Sequence, residues 1–189
     1  MTRVAVFSAG GRIGQAQVRA LRREGYPLHA VSRHPTLFER PEFEGVAVEV
    51  EAADYYDTAS LKRILDKVDA AFFTPPGLAP PDEMRVQAEH LREALAASGL
   101  KRLVMNSTQW VPDGPPCGAH TYDDMRAIED IAGVDRCAAT VIFWPVLYME
   151  NLLTVFFKPP IVEEGVYRYC HRPGHSPIGS AWMMSAATW

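Results

Sequence analysis

The chain opens on a short apolar run, Val4 to Phe7, suited to a strand buried on both faces. Ser8-Ala9-Gly10-Gly11-Arg12-Ile13-Gly14 turns it sharply. From Arg12 to Glu24 the apolar residues Ile13, Ala16, Val18, Ala20 and Leu21 recur at roughly helical spacing, with arginines between them. This alternation of strand and helix then repeats. Leu28 to Ser32 reads as a second buried strand after the turn Gly25-Tyr26-Pro27, and Gly45 to Val50 alternates as a third. Thr58 to Val68 reads as a helix with Asp57 as its cap. Asp69 to Thr74 is a fourth strand, ended by Thr74-Pro75-Pro76-Gly77 because proline cannot continue a sheet ladder. Pro81 opens a helix through Ala97, with Met84, Leu91, Leu95 and Ala96 in its apolar set; His90 on it reads as a solvated or capping histidine. Leu100 to Met105, a helix over Tyr122 to Ile131, and Ala138 to Phe143 complete the series. The pattern predicts an α/β fold, a doubly wound parallel sheet with right-handed crossovers and helices on both faces.

Strand, glycine turn, helix is the context in which a glycine motif carries chemistry. Gly10, Gly11 and Gly14 let the backbone bend and approach a pyrophosphate, while the amides of Arg12 and Ile13 open a helix whose positive dipole end faces it. Ser8 stands where the first glycine of a standard dinucleotide fingerprint would be, and an ordinary strand-to-helix loop is the alternative. In such sites an acidic residue about 20 residues past the glycines binds the ribose 2′-hydroxyl, and an arginine there takes a 2′-phosphate. Here the second strand ends in Ser32-Arg33-His34-Pro35. Arg33, helped by Arg12, therefore favours NADP over NAD, unless it is a solvated loop charge. Asp54, past the third strand, either accepts a hydrogen bond from an adenine amino group or is a turn residue beside Asp57. Thr74 and the backbone of Pro75 are placed near the cofactor ribose.

Composition bounds the rest. A chain of 189 residues can bury a real core, and its net charge of −4 offers no basic surface for nucleic acid. Three cysteines, Cys117, Cys137 and Cys170, contain no CxxC pair, so a reducing cytoplasm is expected rather than a disulfide framework. No basic stretch followed by a long apolar one starts the chain, so no signal peptide is expected. The most membrane-like stretch, Cys137 to Phe157, is interrupted by Pro145, Glu150 and Asn151 and reads as a buried strand followed by a separate helix. Cys170, His171 and His175 lack a recognisable zinc spacing, and no metal is expected.

The sequence resembles the NmrA-like group of atypical short-chain dehydrogenases. The resemblance rests on SAGGRIG against the group's usual GATGxxG, on Val31-Ser32-Arg33, on FFTPP after the fourth strand, and on Arg126-Ala127-Ile128-Glu129 followed by FWPVLYMENLL. It implies a Rossmann domain over residues 1–155 that binds NADP(H), with residues 156–189 a short or truncated C-terminal lobe on the substrate side. Reductases of the wider superfamily use a Tyr-x-x-x-Lys pair, in which the tyrosine gives or takes a proton and the lysine lowers its pKa and holds the nicotinamide ribose. The corresponding residues are Tyr122 and Arg126, with Ser107 after the fifth strand to steady a substrate carbonyl. Arginine keeps the charge but is bulkier and differently directed. Asp123 and Asp124, if ionised nearby, would raise the pKa of Tyr122. Alternatively Tyr122 packs at a helix start and Arg126 pairs with Asp123 or Asp130. Trp144 replaces the arginine of the group's Arg-Pro and removes a structural ion pair. The resemblance implies either an oxidoreductase acting on a small carbonyl, quinone or enone, or a non-catalytic NAD(P) sensor. A nucleotide-sugar epimerase would need the altered Tyr-x-x-x-Lys.

Overall fold

A computed structural model of the protein describes residues 1–39, 48–75, 83–108, 115–118, 120–133, 139–145, 148–155 and 157–167. Parts of several expectations lie outside these residues: the start of the third strand before Val48, the proline at position 81, Cys137 and Ala138, and the segment holding Cys170, His171 and His175.

Six parallel strands form one sheet: β1 (Val4–Val6), β2 (Leu28–Ser32), β3 (Glu49–Ala52), β4 (Ala70–Phe73), β5 (Arg102–Asn106) and β6 (Ala139–Phe143). Their spatial order is β3-β2-β1-β4-β5-β6, so the direction of winding reverses between β1 and β4. That reversal leaves a crevice outside the carboxyl ends of these two strands, where open α/β sheets bind ligands. The helices between strands are α1 (Arg12–Arg23), α2 (Thr58–Leu65), α3 (Glu83–Ala96) and α4 (His120–Gly133), and a 3₁₀ turn spans Pro35–Glu39.

Strand alternation sorts the core into two layers. Ala5, Phe7, Val31, Ala71, Phe73, Leu103 and Met105 pack under the apolar stripes of α2, α3 and α4. Val4, Val6, Leu28, Ala30 and Ala70 meet Val18 and Leu21 of α1 on the other face. Both faces of the sheet are therefore covered by helices, as the alternating pattern predicts. Asp57 caps α2 through its side chain, which accepts from the Ser60 amide at 3.1 Å. His90 is held by Thr58, with Nδ1 and Oγ1 2.7 Å apart, so it ties α3 to the first turn of α2.

The third strand, expected over Gly45 to Val50, continues past Val50; residues 45–47 of that span lie outside the described residues. It runs over Glu49–Ala52 because its ladder is set by β2, with His29 opposite Glu49 and Ser32 opposite Ala52. As an edge strand it carries charge inward: Glu51 accepts from His29, Arg63 and Lys67 at 2.9, 2.7 and 2.7 Å. Burial alone would raise its pKa, but the hydrogen bonds from Lys67 and Arg63 outweigh that and bring it down to about 2.

The chain divides into two compact units, Met1–Trp144 and Pro145–Trp189. Within the second, Met149–Leu153 forms a 3₁₀ turn and α5 spans Lys158–Glu164, ended by Gly165 at φ 66°. The buried strand and separate helix expected over Cys137–Phe157 are not what the described residues show: β6 is an edge strand exposed at Ala139, Val141 and Phe143, that span holds the 3₁₀ turn, and α5 lies beyond it. No helix among the described residues is long and apolar enough to cross a membrane.

Candidate functional site

The turn after β1 is strapped to both neighbouring strands. The Phe7 amide donates to Phe72 O in β4 and the Ala9 amide to Val31 O in β2, each at 2.9 Å. Within the turn, the Gly11 amide donates to Ser8 O at 2.9 Å. Gly11 is then the N-cap of α1 and supplies no side-chain hydrogen bond, and no acidic residue occupies the first helical turn. The opening amides of α1, at Arg12, Ile13 and Gly14, thus have no carboxylate or hydroxyl capping them, which leaves a helix end suited to an anion.

Gly14 shows why this geometry needs a glycine. A Cβ there would stand 2.3 Å from Ser8 O and 2.6 Å from Ala9 Cα, both backbone atoms. At Gly11 the nearest atom to a Cβ is Ser8 O at 3.3 Å, a tight contact but not a collision. Gly10 lends its carbonyl to Gln15 Nε2 at 2.9 Å. Ser8 occupies the left-handed region with φ 54°, a conformation in which glycine is favoured and other residues are strained.

The remaining residues expected on the dinucleotide side lie at the carboxyl ends of the strands. Arg33 follows β2 directly and is exposed, as is Arg12, and among the described residues neither makes an ion pair. The charge of Arg33 acts on the hydroxyl of Tyr55, although burial dominates there and pushes that hydroxyl's pKa above its usual range. Asp54 is a turn residue in this structure: its Oδ1 accepts from the Tyr56 amide at 3.2 Å and its carbonyl from the Asp57 amide at 3.1 Å. Thr74 carries a buried Oγ1 with no hydrogen-bond partner among the described residues, and Pro75 beside it is buried. An orphaned hydroxyl next to the crevice fits a polar ligand atom.

A second group gathers around β5 and α4. Tyr122, Arg126 and Glu129 stand at i, i+4 and i+7 and share one face of α4. Ser107, just past β5, is buried and donates its hydroxyl to Glu129. To donate to a substrate carbonyl it would have to turn away from that carboxylate. Arg126 lies 3.9 Å from Asp130, the pairing named as the alternative to a catalytic role. Asp123 accepts from the Cys117 and Gly118 amides at 2.8 and 2.9 Å, and buried Asp124 accepts from Arg85 at 3.1 Å. Trp144 Nε1 donates to Glu129 at 2.9 Å. The indole thus meets the glutamate of the motif itself, with a neutral donor where the related pattern has an arginine. The sequence pattern contains Glu129 but gives it no role, and it does not mark Tyr55 at all. Only the helical register would have pointed to Glu129, and nothing in the linear sequence pairs Tyr55 with Ser8.

No group of three or more His, Cys, Asp or Glu among the described residues could hold a metal ion.

Among solved structures, a Citrobacter sp. triphenylmethane reductase is similar over 79% of this chain and 51% of its own, with 17% identity and a TM-score of 0.65. In its complex with NADP(H) the figures are 79%, 51%, 19% and 0.60. A nucleoside-diphosphate-sugar epimerase from Staphylococcus aureus is similar over 86% of this chain and 55% of its own, with 20% identity and a TM-score of 0.66. The Bordetella bronchiseptica enzyme WbmH, in complex with NAD+, matches over 76% of this chain and 56% of its own, at 18% identity and a TM-score of 0.59. At these identities the likeness concerns the fold, and the chain spans about half the length of each of these proteins. No curated protein matches the sequence significantly. The NmrA-like family model matches residues 1–186, well past the segment on which the sequence resemblance rests, and the chain belongs to the NmrA-like family.

Proposed function

We propose that this chain binds NADP(H) in the crevice between β1 and β4 and serves an oxidoreductase-type reaction on a small carbonyl, quinone or enone. The observation that carries the reading is the fit of the turn to a pyrophosphate: side-chain-free amides open α1, and Gly14 has no room for a Cβ. Arg12 and Arg33, both exposed and without an ion-pair partner among the described residues, are assigned to the 2′-phosphate, which a guanidinium matches with two parallel hydrogen bonds. Asp54 is assigned to the adenine edge through the carboxylate oxygen that Tyr56 does not use. Thr74 and Pro75 are assigned to the ribose beside the crevice. When bound, the nicotinamide supplies the hydride chemistry. Tyr122 exchanges the proton, Arg126 holds the ribose side with its charge, and Ser107 orients the substrate once its hydroxyl leaves Glu129. The unpaired Cys117 is compatible with a cytoplasmic protein.

Calorimetric titration with NADPH and with NADH tests the binding, with the tighter affinity expected for NADPH. Binding of neither would overturn the reading. A second reading, a non-catalytic NAD(P) sensor, is favoured by the Ser107–Glu129 hydrogen bond and by arginine in the lysine's place. NADPH consumption with a panel of quinones and aldehydes separates the two: turnover lost in Tyr122→Phe supports the enzyme, and tight binding without turnover supports the sensor.

A further inference from the structure

Ser8 is a residue with a side chain where the turn demands a left-handed backbone, and something must hold it there. Its φ of 54° is the only positive value among the described non-glycine residues. Its hydroxyl lies 3.3 Å from Thr74 O, to which it donates, and 2.7 Å from the Tyr55 hydroxyl. A serine has one hydroxyl hydrogen, so with that hydrogen on Thr74 O the tyrosine is the donor to Ser8. The chain of hydrogen bonds runs Tyr55 to Ser8 to Thr74, from the loop after β3 across the crevice floor to the end of β4. The Tyr55 ring is itself fixed, stacked on Phe7 at 6.2 Å and edge-on to Phe73 at 5.2 Å.

The backbone of Ser8 matters because two features of the helix entry depend on its carbonyl. That carbonyl accepts the Gly11 amide, and it is the atom nearest to a Cβ built at Gly14. If Ser8 relaxed to negative φ its carbonyl would swing away, the Gly11 amide would lose its partner, and the opening amides of α1 would shift.

We propose that Tyr55 is a positioning residue for the diphosphate of the bound dinucleotide: through its hydrogen bond to the Ser8 hydroxyl it keeps the turn in the conformation that a glycine would adopt without help. The inference rests on the dinucleotide reading given above and adds to it a residue that need not touch the ligand. It also assigns the Ser8 hydroxyl to the turn rather than to a phosphate oxygen.

The test is a double-mutant cycle on the full chain, read as NADPH affinity by titration calorimetry, with melting in the absence of ligand as a check on folding. Tyr55→Phe keeps the ring and removes the donor, and it should weaken NADPH about fivefold, the factor one net hydrogen bond of this kind is worth. Ser8→Ala, which keeps a Cβ but loses the hydroxyl, should weaken NADPH by a similar factor. In the Ser8→Gly background, where φ 54° needs no support, Tyr55→Phe should cost nothing. A general loss of packing at Tyr55 would not be rescued by glycine at a different position. Unchanged affinity in Tyr55→Phe, or the same loss with glycine at position 8 as with serine, overturns the proposal while leaving dinucleotide binding in place. A parent protein that binds neither NADPH nor NADH overturns both together.

Discussion

Adding one methyl group at Gly14 is the sharpest test of how α1 sits on the turn. The Cβ would meet Ser8 O at 2.3 Å, Ala9 Cα at 2.6 Å and Ser8 C at 2.8 Å, all backbone atoms that no rotamer change can move. The shortfall from ordinary contact is roughly 1 Å, so the helix start or the turn must move by that order. Overpacking of this kind costs about 1–3 kcal/mol. Alanine's helical advantage over glycine, at most about 1 kcal/mol, returns part of it. A net loss of about 1–2 kcal/mol lowers the melting temperature by about 2–8 °C for a chain of this size. NADPH binding should fall further, by more than about tenfold, because the displaced groups are the amides proposed to bind the pyrophosphate. Calorimetric melting and titration of Gly14→Ala measure both. Gly99→Ala is the control, since nothing lies within 4 Å of a Cβ there. If Gly14→Ala melts with the parent and binds NADPH equally well, the close seating of α1 against Ser8 is wrong.

The remaining predictions concern charge. Arg33→Ala should weaken NADPH by about 10–100-fold, the range for one charge-assisted contact, and NADH far less; equal losses would show that Arg33 does not read the 2′-phosphate. Glu51 titrates at about 2 in the folded protein against an ordinary 4.5, so its contribution is full above pH 4.5 and is lost as pH falls towards 2. Its partners Arg63 and Lys67 are 53% and 42% exposed, which limits the effect to about 1 kcal/mol after screening. The melting temperatures of the parent and Glu51→Gln should therefore converge on acidification through that window, and parallel curves would refute the assignment. Trp144→Phe removes the indole donor to Glu129 from a side chain that is 61% exposed, so it should cost no more than about 1 kcal/mol, while Trp144→Arg should restore the stability by pairing with the same carboxylate. A larger loss in the arginine variant than in the phenylalanine variant, by chemical denaturation, would contradict that geometry.

The backbone-determined half of the molecule was legible in the sequence. The uninterrupted apolar run Ala70–Phe73, and Leu28–Ser32 with His29 within it, sit inside the sheet, where burial on both faces removes the ambiguity of period. The edge strand was harder, because β3 is exposed at Glu49, Val50 and Ala52 and its span is dictated by pairing with β2 rather than by its own pattern. The glycines at the turn were visible as letters, but which of them lacks room for a side chain depends on how α1 packs, and that depends on residues far along the chain. The Ser8–Tyr55 contact spans 47 positions and the Ser107–Glu129 contact 22, and neither distance leaves a periodic trace. Asp54 shows the same limit: a carboxylate after a strand serves a turn or a ligand with the same letter.

The two ends of the site differ in what they require of the chain. The end proposed for the pyrophosphate is built from backbone amides, a missing Cβ and a carbonyl held in place, so on this reading it should survive serine in the place of the first glycine provided that another residue supports the turn. The end proposed for the reaction depends on side chains, and there Arg126 stands in place of the lysine of the related pattern, Trp144 in place of the arginine before the proline, and the Ser107 hydroxyl is committed to Glu129. Binding should therefore tolerate the departures from the family pattern better than proton transfer does. It follows that Tyr122→Phe should leave NADPH affinity within about twofold, a change worth well under 1 kcal/mol, whatever it does to turnover. A large loss of affinity in that variant would mean that the hydroxyl belongs to the binding surface, and that the division between the two ends is false.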